Sequence, residues 1–334
     1  MATYKEISGL NIKTLSADPS NLSEGDMWYN TTSRTLKTAQ PVAAAWASAP
    51  NLNQARNYAG TLGATYDTSV IVHGNFPPAS PNKTLNSEEY NGSTWSATNA
   101  ANTASAYGAG SGTGTAGIVF CGNTAPTVWS TATENWDGTN WTTGTPMGAS
   151  HYAGGMFGQS QTSAVVFGGG TAWPSVSNIN ATTEEWNGSA WASVSNYNPG
   201  NLFSAHSLMA GVETAGVAGM AYPGQNTTVQ EYDGTSWAAA TSAPVGSEDG
   251  GSIGSQTDAL VFGGNPGFMT TSTAYDGTNW TAAPSLTSGG GYGNRGTSSN
   301  TTAGGIWAGW SPAPRATTEE YQGIHAGAKT VTTS

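Results

Sequence analysis

The chain has 334 residues, only 9% of them charged, and Asp and Glu outnumber Lys and Arg by 20 to 9, for a net charge of −11. Neither Lys nor Arg occurs between Lys83 and Arg295, so the body of the chain lacks the cations that nucleic-acid phosphates and anionic lipid surfaces require, and both partners are excluded. Abundant Gly (46 residues), with 13 Trp and 13 Tyr for bulk, excludes a helical bundle, a coiled coil and a collagen, and favours a β-rich, turn-rich globule with aromatic anchors.

In chain order, the start Met1-Ala2-Thr3-Tyr4-Lys5 has no apolar core of a signal peptide, and no stretch approaches a membrane span, so synthesis in a cytoplasm without membrane insertion is expected. The first element is a small hairpin within Gly25–Lys37, containing Met27-Trp28-Tyr29-Asn30 and Arg34-Thr35-Leu36-Lys37. Residues 1–40 hold Lys5, Lys13, Arg34 and Lys37 and do not share the repeat pattern of residues 41–323, which makes them a separate N-terminal module. Next comes an apolar strand around Trp46, Val42 to Ala47.

From there one block recurs: Glu89-Tyr90-Asn91-Gly92-Ser93-Thr94-Trp95, then equivalents ending in Trp141, Trp191, Trp237 and Trp280, and a sixth copy, Glu320-Tyr321-Gln322-Gly323, without its Trp. The glycines at 92, 138, 188, 234, 277 and 323 are spaced 46, 50, 46, 43 and 46 apart. Asn-Gly or Asp-Gly between β-formers predicts a type I′ hairpin, which places Glu88 opposite Trp95 and makes Tyr90 and Trp95 a diagonal pair. An apolar run precedes each hairpin, such as Val70-Ile71-Val72, Ile118-Val119-Phe120 and Val165-Val166-Phe167, and reads as a strand covered on both faces. Further upstream lies a Gly/Ala-rich stretch such as Ala153-Gly154-Gly155, read as an innermost strand where only small side chains fit.

Four strands per 43–50 residues is the signature of a propeller blade. The apolar strand ending in Gly-Gly, intact at Gly168-Gly169 and Gly263-Gly264, followed by an aromatic and a Trp, resembles the kelch repeat of galactose-oxidase-like propellers over residues 41–323. Trp46 lies 49 residues before Trp95, in register with the array, so the N-terminal strand should supply the outer strand missing from the sixth copy. The expected fold is all-β: a six-bladed propeller of four-stranded blades (41–323) closed by the strand around Trp46, preceded by the 1–40 module and followed by a flexible tail, 324–334. The module resembles short "GD-x-W-Y-N-T-T-S-x-T-L-K" segments near the termini of phage tail and fibre proteins. Together with the "W-D-G-T-N-W" hairpins, the chain resembles kelch-like virion proteins of marine tailed phages.

No catalytic constellation stands out. His73, His151, His206 and His325 fall at different repeat positions; His73 reads as a buried, hydrogen-bonded residue, while His151 and His206 precede inner strands and so lie toward one propeller mouth. Cys121 sits in an apolar run, has no partner for a disulfide, and reads as a small buried hydrophobe; the copper chemistry of galactose oxidases has no matching residues. The carboxylate pairs Glu88-Glu89, Glu184-Glu185 and Glu319-Glu320 recur at one repeat position, so anchoring of backbone or hydroxyl groups is favoured over glycosidase work. Calcium and phosphate loops are absent as motifs, and no metal or cofactor is expected.

Binding is the better prospect. Proline-bearing links between the apolar and Glu-Tyr strands leave on one face, and variable loops on a rigid ring are where recognition usually resides. Phe76, Trp129, Trp173, Tyr222, Phe268 and Trp310 there offer stacking faces for sugars or a protein groove, unless they pack beneath their own loops. The resemblance implies a non-enzymatic virion protein, tail-fibre or other particle-surface component. The 1–40 module, with Trp28, Tyr29, Arg34 and Lys37, would attach to other virion proteins, and the propeller would meet a host glycan or protein. A lectin-like propeller outside a phage and a polysaccharide hydrolase are the alternatives.

Overall fold

A computed structural model describes residues 12–65, 67–76, 83–120, 122–125, 128–151, 153–170, 180–197, 207–221, 224–291, 295–297, 301, 303–307 and 313–332. These residues form strands, turns and loops and include no helix. The chain divides into two compact units: Ala45–Tyr321, and the segment up to Ala44 joined with Gln322 onward.

In the larger unit the described residues form six four-stranded antiparallel sheets, arranged like the blades of a propeller. The first runs Gly60–Leu62, Ser69–Val72, Ser87–Tyr90, Trp95–Thr98, and the next four follow the same order. The second to fifth sheets begin at Ala109–Gly112, Gly155–Ser160, Leu208–Val212 and Gly251–Ser255. The sixth contains Arg295–Thr297, Ala303–Trp307 and Thr318–Gln322, and its outer strand is Ala45–Ala49, from the start of the unit. Each inner strand touches the inner strand of the next sheet, and Arg295–Thr297 returns to Gly60–Leu62, closing the cycle.

The physical reasons are local. Inner strands approach closely at their glycines: a Cβ on Gly110 would lie 2.6 Å from the Thr61 carbonyl oxygen of the neighbouring strand, while Leu62 and Phe157 of the inner strands pack against the next sheets. Second strands are sandwiched between adjacent sheets; Ser69–Val72 and Gly117–Phe120 are buried at every residue. Aromatic residues on the third and fourth strands fill the outer layer. Tyr90 faces Trp95 with ring centroids 5.0 Å apart, and Trp136–Trp141, Trp186–Trp191, Tyr232–Trp237 and Tyr275–Trp280 repeat the contact at 4.8–5.4 Å. The repeat tryptophans Trp46, Trp95 and Trp141 are buried; Trp191, Trp237 and Trp280 are half-buried. Trp46 closes the sixth sheet, packing on Phe262 of the fifth and Tyr321 of the sixth at 5.0 Å each.

The hairpin turn sits one residue further along than the type I′ expectation, which shifts the pairing register by two residues. Tyr90 pairs directly with Trp95, not diagonally, and Glu88 faces Ala97, not Trp95. The central turn residues are Gly92 and Ser93, and Gly92 alone has positive φ (+84°), the requirement of a type II′ turn. Asn91 spends its side chain differently: Oδ1 accepts from the amides of Ser93 and Thr94 at 3.0 and 2.9 Å. Asp137, Asn187, Asp233 and Asp276 cap their turns in the same way. Those backbone hydrogen bonds hold Asp137, Asp233 and Asp276 below the usual carboxylate pKa range.

The smaller unit is a sheet of Lys13–Leu15, Met27–Asn30, Thr35–Val42 and His325–Thr330. The expected hairpin is present, Met27–Asn30 on Thr35–Val42. The expectation of a flexible tail from 324 is corrected: His325–Thr330 pairs antiparallel with Lys37–Val42 over six residues. His-Ala-Gly-Ala-Lys-Thr has no apolar alternation to reveal that strand in the sequence.

Candidate functional site

The recurrent carboxylates resolve into two structural roles. The first Glu of each pair, and Glu134 at the same register, holds the loop that enters its own sheet. Glu88 accepts from the amides of Asn53 and Gln54 at 2.7 and 3.2 Å, Glu134 from Asn102 and Thr103 at 2.8 and 2.9 Å, and Glu319 from Thr287 and Ser288 at 2.8 and 3.0 Å. Glu184 accepts from Gly148 at 3.1 Å, and burial raises its pKa. Glu88 also pairs with Arg56 at 2.5 Å, both side chains being almost wholly buried. The second Glu reaches the neighbouring sheet: Tyr232 donates to Glu185 at 2.5 Å, Tyr275 to Glu231 at 2.7 Å, and Tyr90 to Glu320 at 2.5 Å, the last joining the first sheet to the sixth. Burial and the carboxylate each oppose ionisation of Tyr232 and Tyr275, whose pKa values rise.

The histidines do not converge among the described residues. His73 is buried after the second strand of the first sheet, in a left-handed conformation (φ +63°). Burial, then the Arg56 charge, depress its pKa to about 4. His151 is buried with Nδ1 2.7 Å from the Gly168 carbonyl oxygen, and burial lowers its pKa. His325 lies in the smaller unit, while His206 and Cys121 fall outside the described residues. Among the described residues no group of three His, Cys, Asp or Glu is placed to hold a metal ion.

Of the loop aromatics, Phe76, Trp129 and Phe268 are half-buried; Trp173, Tyr222 and Trp310 lie outside the described residues. Trp129 stands in a two-stranded ribbon, Val128–Trp129 on Asn123–Ala125. An aromatic pair missed by sequence reasoning is Tyr58–Tyr107, stacked at 3.9 Å and 27°. Both residues precede an inner strand by two positions and are left-handed, φ +53° and +62°, as are Ala153 and Asp249 at the matching positions. A Tyr two residues ahead of a Gly/Ala run was the only signal available. The central channel, a cavity of ≈ 80 Å³, is lined by inner-strand residues such as Thr61, Gly110, Gln159, Met209 and Ser252, none of them ionisable.

In the smaller unit Trp28 is a core residue, 1% exposed, rather than an attachment surface. Its Nε1 donates to Asp18 at 2.9 Å, Asn30 donates to the same oxygen at 2.7 Å, and Lys37 lies 3.8 Å from the other. These hydrogen bonds hold Asp18 below its ordinary pKa. Tyr29 and Met27 project from the opposite sheet face and are exposed, as are Val42 on that face and Arg34 at the turn.

No family model matches this chain, and no curated protein matches it. Among solved structures, YjhT, a kelch-like propeller protein, matches 84% of this chain and 99% of its own, with a TM-score of 0.65 and 13% identity. At that identity the likeness shows the fold: a β-propeller.

Proposed function

We propose that this chain is a non-enzymatic structural protein of a phage particle, a tail-fibre, tail-associated or other particle-surface component whose propeller meets a host surface or neighbouring virion proteins. The observation that carries this reading is the smaller unit. The segment that resembles phage tail and fibre modules folds into a sheet of its own with the chain's last strand. One face of that sheet leaves Met27, Tyr29 and Val42 exposed at 37–41%, an apolar patch suited to docking on another virion protein. The absence of catalysis is supported by the carboxylates, which are occupied by backbone amides and tyrosine hydroxyls. A lectin-like propeller outside a phage and a polysaccharide hydrolase are the competing functions.

Mass spectrometry of purified particles, followed by antibody labelling of tail and capsid, tests the proposal. The protein is expected in the particle and on its surface; failure to find it there would overturn the reading. Met27→Asp with Tyr29→Ala is expected to lower incorporation into particles at least tenfold while the propeller retains its thermal transition. Unchanged incorporation would remove the docking face from the account.

A further inference from the structure

Successive sheets pack through one repeated contact. The last residue of a second strand lies against the outer-strand Trp of the next sheet. Phe120 meets Trp191 with ring centroids 4.9 Å apart, Phe167 meets Trp237 at 4.9 Å, and Phe262 meets Trp46 at 5.0 Å, all edge-on at 63–74°. Between the first and second sheets that residue is Val72, and a ring is supplied one position later by His73, 6.5 Å from Trp141. Between the third and fourth sheets a second ring joins. Tyr197, six residues after Trp191, lies 4.7 Å from Trp237 and 4.9 Å from Phe167.

The junction of the fourth and fifth sheets departs from this rule. Gly219 pairs with Val229 at the register where Phe120, Phe167 and Phe262 pair with the first residue of their third strands. A Cβ on Gly219 would lie 2.2 Å from the Thr228 carbonyl oxygen, so the backbone there admits no side chain. Met220 stands at the position of His73 and shares its left-handed conformation, φ +55° against +63°. Ala243, six residues after Trp237, stands at the position of Tyr197. Trp280 keeps the ring of its hairpin partner Tyr275 at 4.8 Å, but the described residues of the fourth sheet bring no ring to it.

The result is a cavity of ≈ 440 Å³ beside Trp280, within the ~300–1,000 Å³ range of small-molecule sites. Val261 and Met220 wall it on the inside, and the exposed Pro244, Val245 and Ala282 form its rim. Thr273, opposite Val261 and so on the same strand face, offers a hydroxyl. Among the described lining residues none is charged, so a carboxylated or phosphorylated ligand would be desolvated here without compensation. An apolar wall facing a void forfeits packing contacts that an apolar ligand restores, and an edge-on ring pair adds further attraction.

We infer that this cavity binds a small neutral aromatic molecule of the phenol class, whose ring takes the place of the missing Phe, edge-on to Trp280. The template is the preceding junction, where the phenyl group of Phe167 and the phenol group of Tyr197 both pack on Trp237. The assignment is independent of whether the protein resides in a particle.

Saturation-transfer NMR on the full chain, titrated with p-cresol, tests it, with the saturated counterpart 4-methylcyclohexanol and the charged counterpart p-toluate as comparison ligands. Saturable binding of p-cresol is expected, at least tenfold tighter than that of either comparison ligand. Ala243→Tyr should place a ring between Gly219 and Trp280, as Tyr197 lies between Phe167 and Trp237, and abolish binding. Trp280→Leu, which keeps an apolar wall without the ring, should weaken binding at least fivefold. Thermal unfolding identifies which variants are folded, and the comparison of the three ligands on the unaltered chain stands whatever that result. Absence of saturable p-cresol binding, equal binding of 4-methylcyclohexanol or p-toluate, or binding unaltered in a folded variant would each overturn the assignment.

Discussion

Arg56 is wholly buried, and its charge is matched by neighbours. Nη2 donates to Glu88 and Nη1 to the carbonyl oxygens of His73 and Asn86, at 3.2 and 2.9 Å. Removing one member of a buried pair leaves the other without compensation, so Glu88→Gln should destabilise the protein by about 3–5 kcal/mol in a urea titration. A loss below about 1 kcal/mol would show that the pair is open to water. Burial, and after it the same guanidinium, disfavours a proton on His73, whose pKa lies near 4 in the fold against 6.5 ordinarily. Between those values the unfolded chain takes up a proton that the folded chain refuses, so stability falls as pH is lowered through about 6.5 toward 4, by at most about 3 kcal/mol for this residue. His151 acts in the same direction; Glu184 and Glu185, raised by burial, act in the other. The test is therefore a difference: His73→Asn should flatten the dependence of stability on pH relative to the unaltered chain. Equal slopes would contradict it.

At the scale of the element, the hairpins show what a short motif encodes and what it leaves open. Asn-Gly and Asp-Gly located the turns, and the Trp that follows each located the outer strand. The turn was off by one residue, and the pairing by two, because Asn91 and its equivalents cap the turn with their side chains, leaving the glycine as first central residue. That choice depends on competition between a side-chain and a backbone acceptor, which a propensity cannot rank. The roles of the Glu pairs were legible as structural, but their partners lie 31–36 residues away for the loop amides, a distance the sequence does not bridge. Gly138, with φ +92°, is predicted to be the costly position of its hairpin: Gly138→Ala should lose about 1 kcal/mol or more in urea, while Thr139→Ala, on the exposed tip, changes little. Equal effects would contradict the turn geometry.

For the larger unit as a whole, the spacing of the repeats and the truncation of the sixth copy announced a cyclic array missing one strand, and the register of Trp46 identified the strand that completes it. The smaller unit was legible only in its hairpin, because its fourth strand carries no apolar pattern. Closure rests on the outer strand Ala45–Ala49, on Trp46 between Phe262 and Tyr321, on Thr318 donating to the Pro50 carbonyl at 2.7 Å, and on Tyr90 donating to Glu320. Trp46→Ala should cost about 3–5 kcal/mol and lower the unfolding of the entire ring, not of one sheet. Closure is tested most directly by hydrogen exchange followed by mass spectrometry on peptides spanning residues 45–52, which include the Leu52 amide bonded to the Ala316 carbonyl. A closed ring predicts protection matching that of the central strands Gly117–Phe120 and Ser163–Phe167; exchange at the rate of a frayed segment, with those strands still protected, would contradict it.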